Sequence, residues 1–124
     1  MEKIRSEDDL QIRCVTWFER KYGENSYRSH EDRYLLYHIP NQGKRSLAYT
    51  VKLKRMGLVT GMPDTHIAIA KKGYSGLFIE FKFGKGKKTR HQEAVQERLV
   101  LSGYRVETCY TFEEFKKIVE EYLE

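Results

Sequence analysis

The run Leu77-Phe78-Ile79-Glu80-Phe81-Lys82-Phe83 sets a glutamate and a lysine two residues apart inside an otherwise apolar segment. Side chains alternate between the faces of a strand, so Leu77, Ile79, Phe81 and Phe83 point one way and Phe78, Glu80 and Lys82 the other. The first face needs a core to cover it. The second allows two readings. Either the strand lies at an edge and shows an ordinary Glu and Lys to water, or the charges are buried and need a partner or a metal ion, because unpaired buried charge is costly.

The rest of the chain supplies elements to surround such a strand. Ser6 can cap a helix running to Tyr22, with Glu7, Asp8 and Asp9 in its first turn, Leu10, Cys14, Trp17 and Phe18 at helical spacing, and Gly23 to end it. Glu24 to Arg33 reads as loop and Leu35 to Ile39 as a short strand. After the turn Pro40-Asn41-Gln42-Gly43, Lys44 to Met56 reads as a helix with Leu47 and Val51 on one side. Gly61-Met62-Pro63 breaks the chain, Asp64 to Ala70 reads as a strand, and Lys71 to Gly76 as a hairpin loop into Leu77 to Phe83. Thr89 to Ser102 is a helix capped by Thr89 with Gln92, Tyr104 to Cys109 a strand, and Thr111 to Leu123 a last helix whose Thr111 and Glu114 suit a second capping box. This order predicts one α/β layered domain over residues 1–124, its sheet covered by helices.

Composition bounds the function. Apolar residues at 40% and charged residues at 33% suit a folded soluble chain. No run of about 18 apolar residues suggests a membrane span, and Met1 to Leu10 is too polar and acidic for a secretory or transit signal, so the cytoplasm is the expected compartment. Cys14 and Cys109 stand far apart in apolar segments, which predicts buried free thiols rather than a thiolate zinc site. The net charge of +5 says less than its distribution. Lys82, Lys85, Lys87, Lys88 and Arg90 crowd one stretch and Lys44, Arg45, Lys52, Lys54 and Arg55 another, while acids gather at the two ends. A basic middle suits a surface that meets phosphates, although a merely solvated face has the same composition.

Asp64 bears on the choice between the two readings of Glu80. It opens the strand that pairs with Leu77 to Phe83. If Asp64 lies opposite Lys82 and His66 opposite Glu80, both carboxylates share a face; a one-residue slip separates them. Two carboxylates beside a lysine suit a hard cation such as Mg²⁺ or Mn²⁺. Hydrolysis of an anionic phosphodiester needs neutralised charge and an activated water, and a lysine adds a point charge for the phosphate.

Gly61-Met62-Pro63-Asp64 followed by Ile79-Glu80-Phe81-Lys82 resembles the PD-(D/E)XK nuclease signature. Glu7 to Gln11, His38 to Arg45 (HIPNQGKR), Lys54 to Asp64 (KRMGLVTGMPD) and Gln92 after the basic loop resemble its VRR-NUC branch, over almost the whole chain. The resemblance implies a restriction-endonuclease-like core, a mixed sheet flanked by helices. It implies Asp64, Glu80 and the Phe81 carbonyl as metal ligands, Lys82 as catalytic lysine, Glu7 approaching the metal directly or through water, and Gln92 projecting toward the site. Asn41, Lys44 and Arg45 fall near the substrate path, and Lys85, Lys87, Lys88 and Arg90 are candidate phosphate contacts. Glu7 also suits the helix dipole, Gln92 a capping box, and Gln11 a helix-surface or packing amide; His66 near the metal competes with a satisfied or exposed histidine.

Stand-alone members of this size occur in phages and bacteria and resemble Holliday-junction resolvases. The expected activity is therefore Mg²⁺- or Mn²⁺-dependent cleavage of branched DNA by a homodimer, without a membrane partner. With no attached zinc finger or helix-turn-helix in the sequence, substrate choice is expected to come from the domain or its dimer. A flap, fork or less selective nuclease is the alternative, as is a DNA-binding accessory protein that does not cut.

Overall fold

The computed structural model describes residues 3–23, 35–40 and 46–124. Eight elements follow in order: α1 (Glu7–Tyr22), β1 (Leu36–His38), α2 (Leu47–Arg55), β2 (Thr65–Ile67), β3 (Leu77–Phe81), α3 (Arg90–Leu101), β4 (Arg105–Cys109) and α4 (Phe112–Leu123). The sheet runs β1-β2-β3-β4. β1 and β2 are antiparallel, as are β2 and β3, while β3 and β4 are parallel. A parallel pair needs a crossover, and α3 supplies it. β3 thus has a strand on each side, which removes the reading of Glu80 and Lys82 as residues on a solvated edge.

Alternation then sorts the two faces. Leu77, Ile79 and Phe81 pack with Leu36, Ile67 and Cys109 against Leu10, Cys14 and Phe18 of α1 and Phe115, Val119 and Tyr122 of α4. Each large apolar side chain buried here contributes about 1.5–3 kcal/mol. Trp17 closes the flank with edge-to-face contacts to Phe112 at 6.1 Å and Phe115 at 6.0 Å. Cys14 and Cys109 are free and fully buried, as expected; burial pushes the Cys109 thiol up to about 12 and the Cys14 thiol higher still. No helix among the described residues is long and apolar enough to cross a membrane.

Local signals set the helix starts. Ser6 accepts from the Asp9 backbone N–H at 3.1 Å, and the Gly23 N–H returns to the Glu19 carbonyl at 3.0 Å. At α4 the Thr111 hydroxyl accepts from Glu114 N–H, but the Glu114 carboxylate accepts from Tyr110 N–H rather than closing a box on Thr111. α2 begins at Leu47, capped by Ser46, not at Lys44. It buries none of its residues, and Leu47 is 81% exposed, so the expected apolar side of this helix does not meet the core.

The strands are shorter than their apolar runs: β1 stops at His38, β2 at Ile67 and β3 at Phe81. The register also differs from expectation. Thr65 pairs with Ile79 and His66 with Phe78, which sets Asp64 toward Glu80 rather than Lys82, and His66 away from Glu80. The shift is by two residues, so Asp64 and Glu80 still share a face.

Gly61 brings the segment before Asp64 against the start of α3. Its φ is +93°, and a Cβ there would lie 2.6 Å from the His91 carbonyl carbon and 2.9 Å from the Gln92 nitrogen. Gly57 also has positive φ, at +107°, but open space around it. Gly57→Ala is therefore expected to cost only the left-handed backbone penalty, about 1–2 kcal/mol. Gly61→Ala adds a backbone clash and is expected to cost more, read as a larger drop in urea midpoint. Equal midpoints for the two variants would show that the approach to α3 is not tight.

Candidate active site

The second face of the sheet carries the charged residues. Glu80 is 2% exposed and Lys82 7%, both beneath the start of α3. Asp64, at the entry to β2, turns its carboxylate toward the neighbouring strand, where Oδ2 accepts from the Phe81 backbone N–H at 2.7 Å. The Phe81 main chain therefore borders the site while its ring packs in the core against Phe115.

Gln92 ties these residues together. Thr89 caps α3, accepting from the Gln92 N–H at 3.1 Å, and Gln92 Oε1 accepts in return from the Thr89 N–H at 2.9 Å. That same Oε1 accepts from Lys82 Nζ at 2.9 Å, and Gln92 Nε2 donates to Glu80 Oε1 at 3.2 Å. The choice between capping residue and site residue is thus no choice: one side chain fills both places. The capping box was visible in sequence, whereas the bridge between Glu80 and Lys82 needs the fold.

Burial, and then the negative charge of Asp64, push the Glu80 carboxyl up to about 8, with Lys82 opposing the rise and Glu7 adding slightly to it. Glu7 is exposed in the first turn of α1, so its influence on Glu80 is electrostatic. Glu80 Oε2 is buried and has no hydrogen-bond partner among the described residues. An unpaired carboxylate oxygen beside a second carboxylate is a hard-oxygen donor set that fits Mg²⁺ or Mn²⁺. Among the described residues no three His, Cys, Asp or Glu side chains converge on one point, and Mg²⁺ bound by one or two carboxylates completes its shell with water.

The remaining candidates are placed as follows. Lys85, Lys87, Lys88 and Arg90 are exposed along the β3–α3 loop and the start of α3. That loop is tied down by Tyr110, whose hydroxyl donates to the Gly86 carbonyl at 3.0 Å, a contact without a signal in the sequence. Lys52, Lys54 and Arg55 are exposed on α2. Asn41, Lys44 and Arg45 lie outside the described residues. His66 stacks on Phe78 at 4.1 Å and its Nδ1 meets the Tyr37 hydroxyl at 2.8 Å, the packed reading of this histidine; burial lowers its pKa. His38 and Gln11 contact each other at 2.9 Å.

A carboxyl whose folded pKa is raised from 4.5 to about 8 stabilises the fold while protonated, and that contribution is lost as pH rises between those values. In chelator, wild-type protein is therefore expected to lose up to a few kcal/mol of stability between pH 5 and pH 8 from Glu80. Glu80→Gln, which keeps the shape without the charge, is expected to flatten that slope and to melt above wild type at pH 8. Parallel melting curves for the two proteins across this range would show that Glu80 is not strained by ionisation.

The VRR-NUC domain model matches residues 5–113 of the chain. A solved structure described as a "VRR_NUC domain protein" is similar with a TM-score of 0.76 and 28% identity, covering 98% of this chain and 91% of that one. A second, described as a "VRR_NUC domain", shares the fold at a TM-score of 0.57 and 17% identity, covering 95% and 99%. No curated protein matches the chain. A family match over most of the sequence, and a mixed sheet that seats Asp64, Glu80 and Lys82 together, lead to one conclusion: the chain belongs to the VRR-NUC domain family, nucleases of the PD-(D/E)XK type.

Proposed function

We propose that this nuclease is a Mg²⁺- or Mn²⁺-dependent, structure-selective endonuclease that hydrolyses phosphodiesters of branched DNA, four-way junctions above all, and works as a homodimer. The observation that carries the metal-dependent reading is the carboxylate pair of half-buried Asp64 and buried Glu80, with Glu80 Oε2 left without a hydrogen-bond partner among the described residues.

In this reading Asp64, Glu80 and the Phe81 carbonyl would hold the cation, with Glu7 approaching from α1 directly or through water. Bound there, a divalent ion neutralises phosphate charge and lowers the pKa of a coordinated water. Lys82 sets an ammonium beside the phosphate, where it opposes the negative charge that grows on the phosphoryl oxygens. With 7% of its surface in water, its field is poorly screened. The bond to Gln92 Oε1 aims Nζ without cancelling its charge, since an amide is neutral. Gln92 also holds one oxygen of Glu80, leaving the other for the metal. Lys85, Lys87, Lys88 and Arg90 on one side, with Asn41, Lys44 and Arg45 on the other, are the proposed backbone contacts of the DNA.

The resolvase assignment rests on the likeness to stand-alone members of the family and on symmetry. Two matched nicks across a junction need two active sites, and a two-fold dimer provides them. Intact Asp64, Glu80 and Lys82 favour an enzyme over a non-cutting accessory protein.

The test compares end-labelled four-way junction, flap and linear duplex, each with Mg²⁺, Mn²⁺ or chelator. Paired symmetric nicks in the junction are expected, absent with chelator and with Glu80→Ala. Lys82→Ala is expected to lower kcat about 100- to 1000-fold, the cost of removing a group that stabilises transition-state charge. Cutting of flap or duplex alone would remove the junction reading and keep the nuclease. Binding of all three without cutting by either metal would favour the accessory protein.

A further inference from the structure

Gln11 of α1 and His38 of β1 take no part in the chemistry above, yet both are joined to one of its members. The Asp64 carbonyl oxygen faces two donors, the Ile39 backbone N–H at 2.7 Å and His38 Nδ1 at 3.0 Å. The same Nδ1 lies 2.9 Å from Gln11 Nε2. A carbonyl oxygen only accepts, so the tautomer with a proton on Nδ1 serves it; a half-turn of the Gln11 amide, which exchanges its nitrogen for its oxygen, then sets an acceptor against the same N–H.

One ring nitrogen thus links α1, β1 and the entry to β2. Asp64 is held at both ends, by this contact at its carbonyl and by Phe81 N–H at its carboxylate. Glu7 and Gln11 are one helical turn apart and share a face of α1. Fixing Gln11 on His38 therefore also holds the turn of α1 that carries Glu7. An open groove of about 480 Å³ lies beside this contact, lined by Asp8, Gln11, Ile12, Val15, Thr16 and His38.

We infer that Gln11 and His38 are positioning residues, a clasp that sets the spacing of Asp64 and Glu7 and so tunes the affinity of the metal site. This inference rests on the reading that Asp64 and Glu80 hold a divalent cation. Groups that orient ligands from behind typically change metal affinity 10- to 100-fold when removed.

The experiment titrates Mn²⁺ into metal-free protein, with binding read by calorimetry and folding by melting in chelator. The variants are Gln11→Ala, His38→Ala, His38→Asn and His38→Gln. The amide nitrogen of Asn stands as many bonds from Cβ as Nδ1 does, and that of Gln as many as Nε2. Gln11→Ala, His38→Ala and His38→Gln are expected to weaken Mn²⁺ binding about 10-fold or more, with little change in melting. His38→Asn, which keeps a donor in place of Nδ1–H, is expected to retain most of the affinity. In cleavage the loss should appear as a raised Mn²⁺ requirement, with kcat recovered at saturating Mn²⁺. Wild-type binding that Glu80→Ala removes but the clasp variants leave unmoved would overturn the clasp alone. Equal affinities for His38→Asn and His38→Gln would overturn it too. A wild-type protein that binds no Mn²⁺ would overturn the metal-dependent reading and the clasp with it.

Discussion

Glu80 at the end of β3 and Lys82 just past it lie two residues apart, almost out of water. A protein interior tolerates such groups only when their lone pairs and protons are met. Here Gln92 of α3 meets Lys82 Nζ and Glu80 Oε1, Glu80 Oε2 is left without a partner among the described residues, and the requirement reaches through the fold. Gln92 has to stand over β3, so the first turn of α3 must dock there. Thr89 has to cap that turn, or Gln92 loses the backbone donor that fixes its amide. Gly61 has to pass within contact distance of His91 and Gln92, which a side chain at that position would prevent. The demand of two buried charges is thus passed to a helix cap and to a glycine in a distant loop.

The two faces of the sheet divide the labour. Leu77, Ile79 and Phe81 sink into a core shared with α1 and α4, and that face supplies the stability. Phe78, Glu80 and Lys82 lie toward α3, and the latter two concentrate charge where it costs stability. Such a site persists only because β3 is held by a strand on each side and by a full apolar face behind it. A short strand at an edge lacks the rigidity to keep two carboxylates near each other against their mutual repulsion.

Features set by local chemistry were legible in the sequence. The caps at Ser6 and Thr89 and the stop at Gly23 depend on a few neighbouring residues, and each is found where the sequence put it. The alternation of β3 also held, and with it the shared face of Asp64 and Glu80. The register did not, for a physical reason. Between the pair Ile67–Leu77 and the bridge Lys71–Tyr74, three residues on one side face two on the other. An extra residue of this kind shifts pairing by one position without leaving a mark in the apolar pattern, and the Lys71–Tyr74 bridge itself stands one position from the expected register. α2 forms within the expected stretch, but its apolar side stays uncovered. Leu47 and Val51 have helical spacing, but periodicity shows that a face is apolar, not that anything covers it. The contact of His38 with Gln11 and Asp64 joins residues 27 and 26 positions apart, beyond the reach of any local signal.

Gln92 shows why the site uses an amide where a carboxylate would satisfy the cap equally well. Three neighbours make demands on this side chain. Thr89 N–H and Lys82 Nζ need an acceptor, and Glu80 Oε1 needs a donor. A carboxylate would accept from the first two but has nothing to donate to the third. It would also add a negative charge next to a carboxyl that burial and Asp64 already hold far above its usual range, and it would pair with Lys82, cancelling the field that the lysine brings to the phosphate. The amide meets all three neighbours and changes no charge. Helix start, buried lysine and buried glutamate are thereby fixed by one neutral group, which keeps the electrostatics of the site in the hands of Asp64, Glu80 and Lys82.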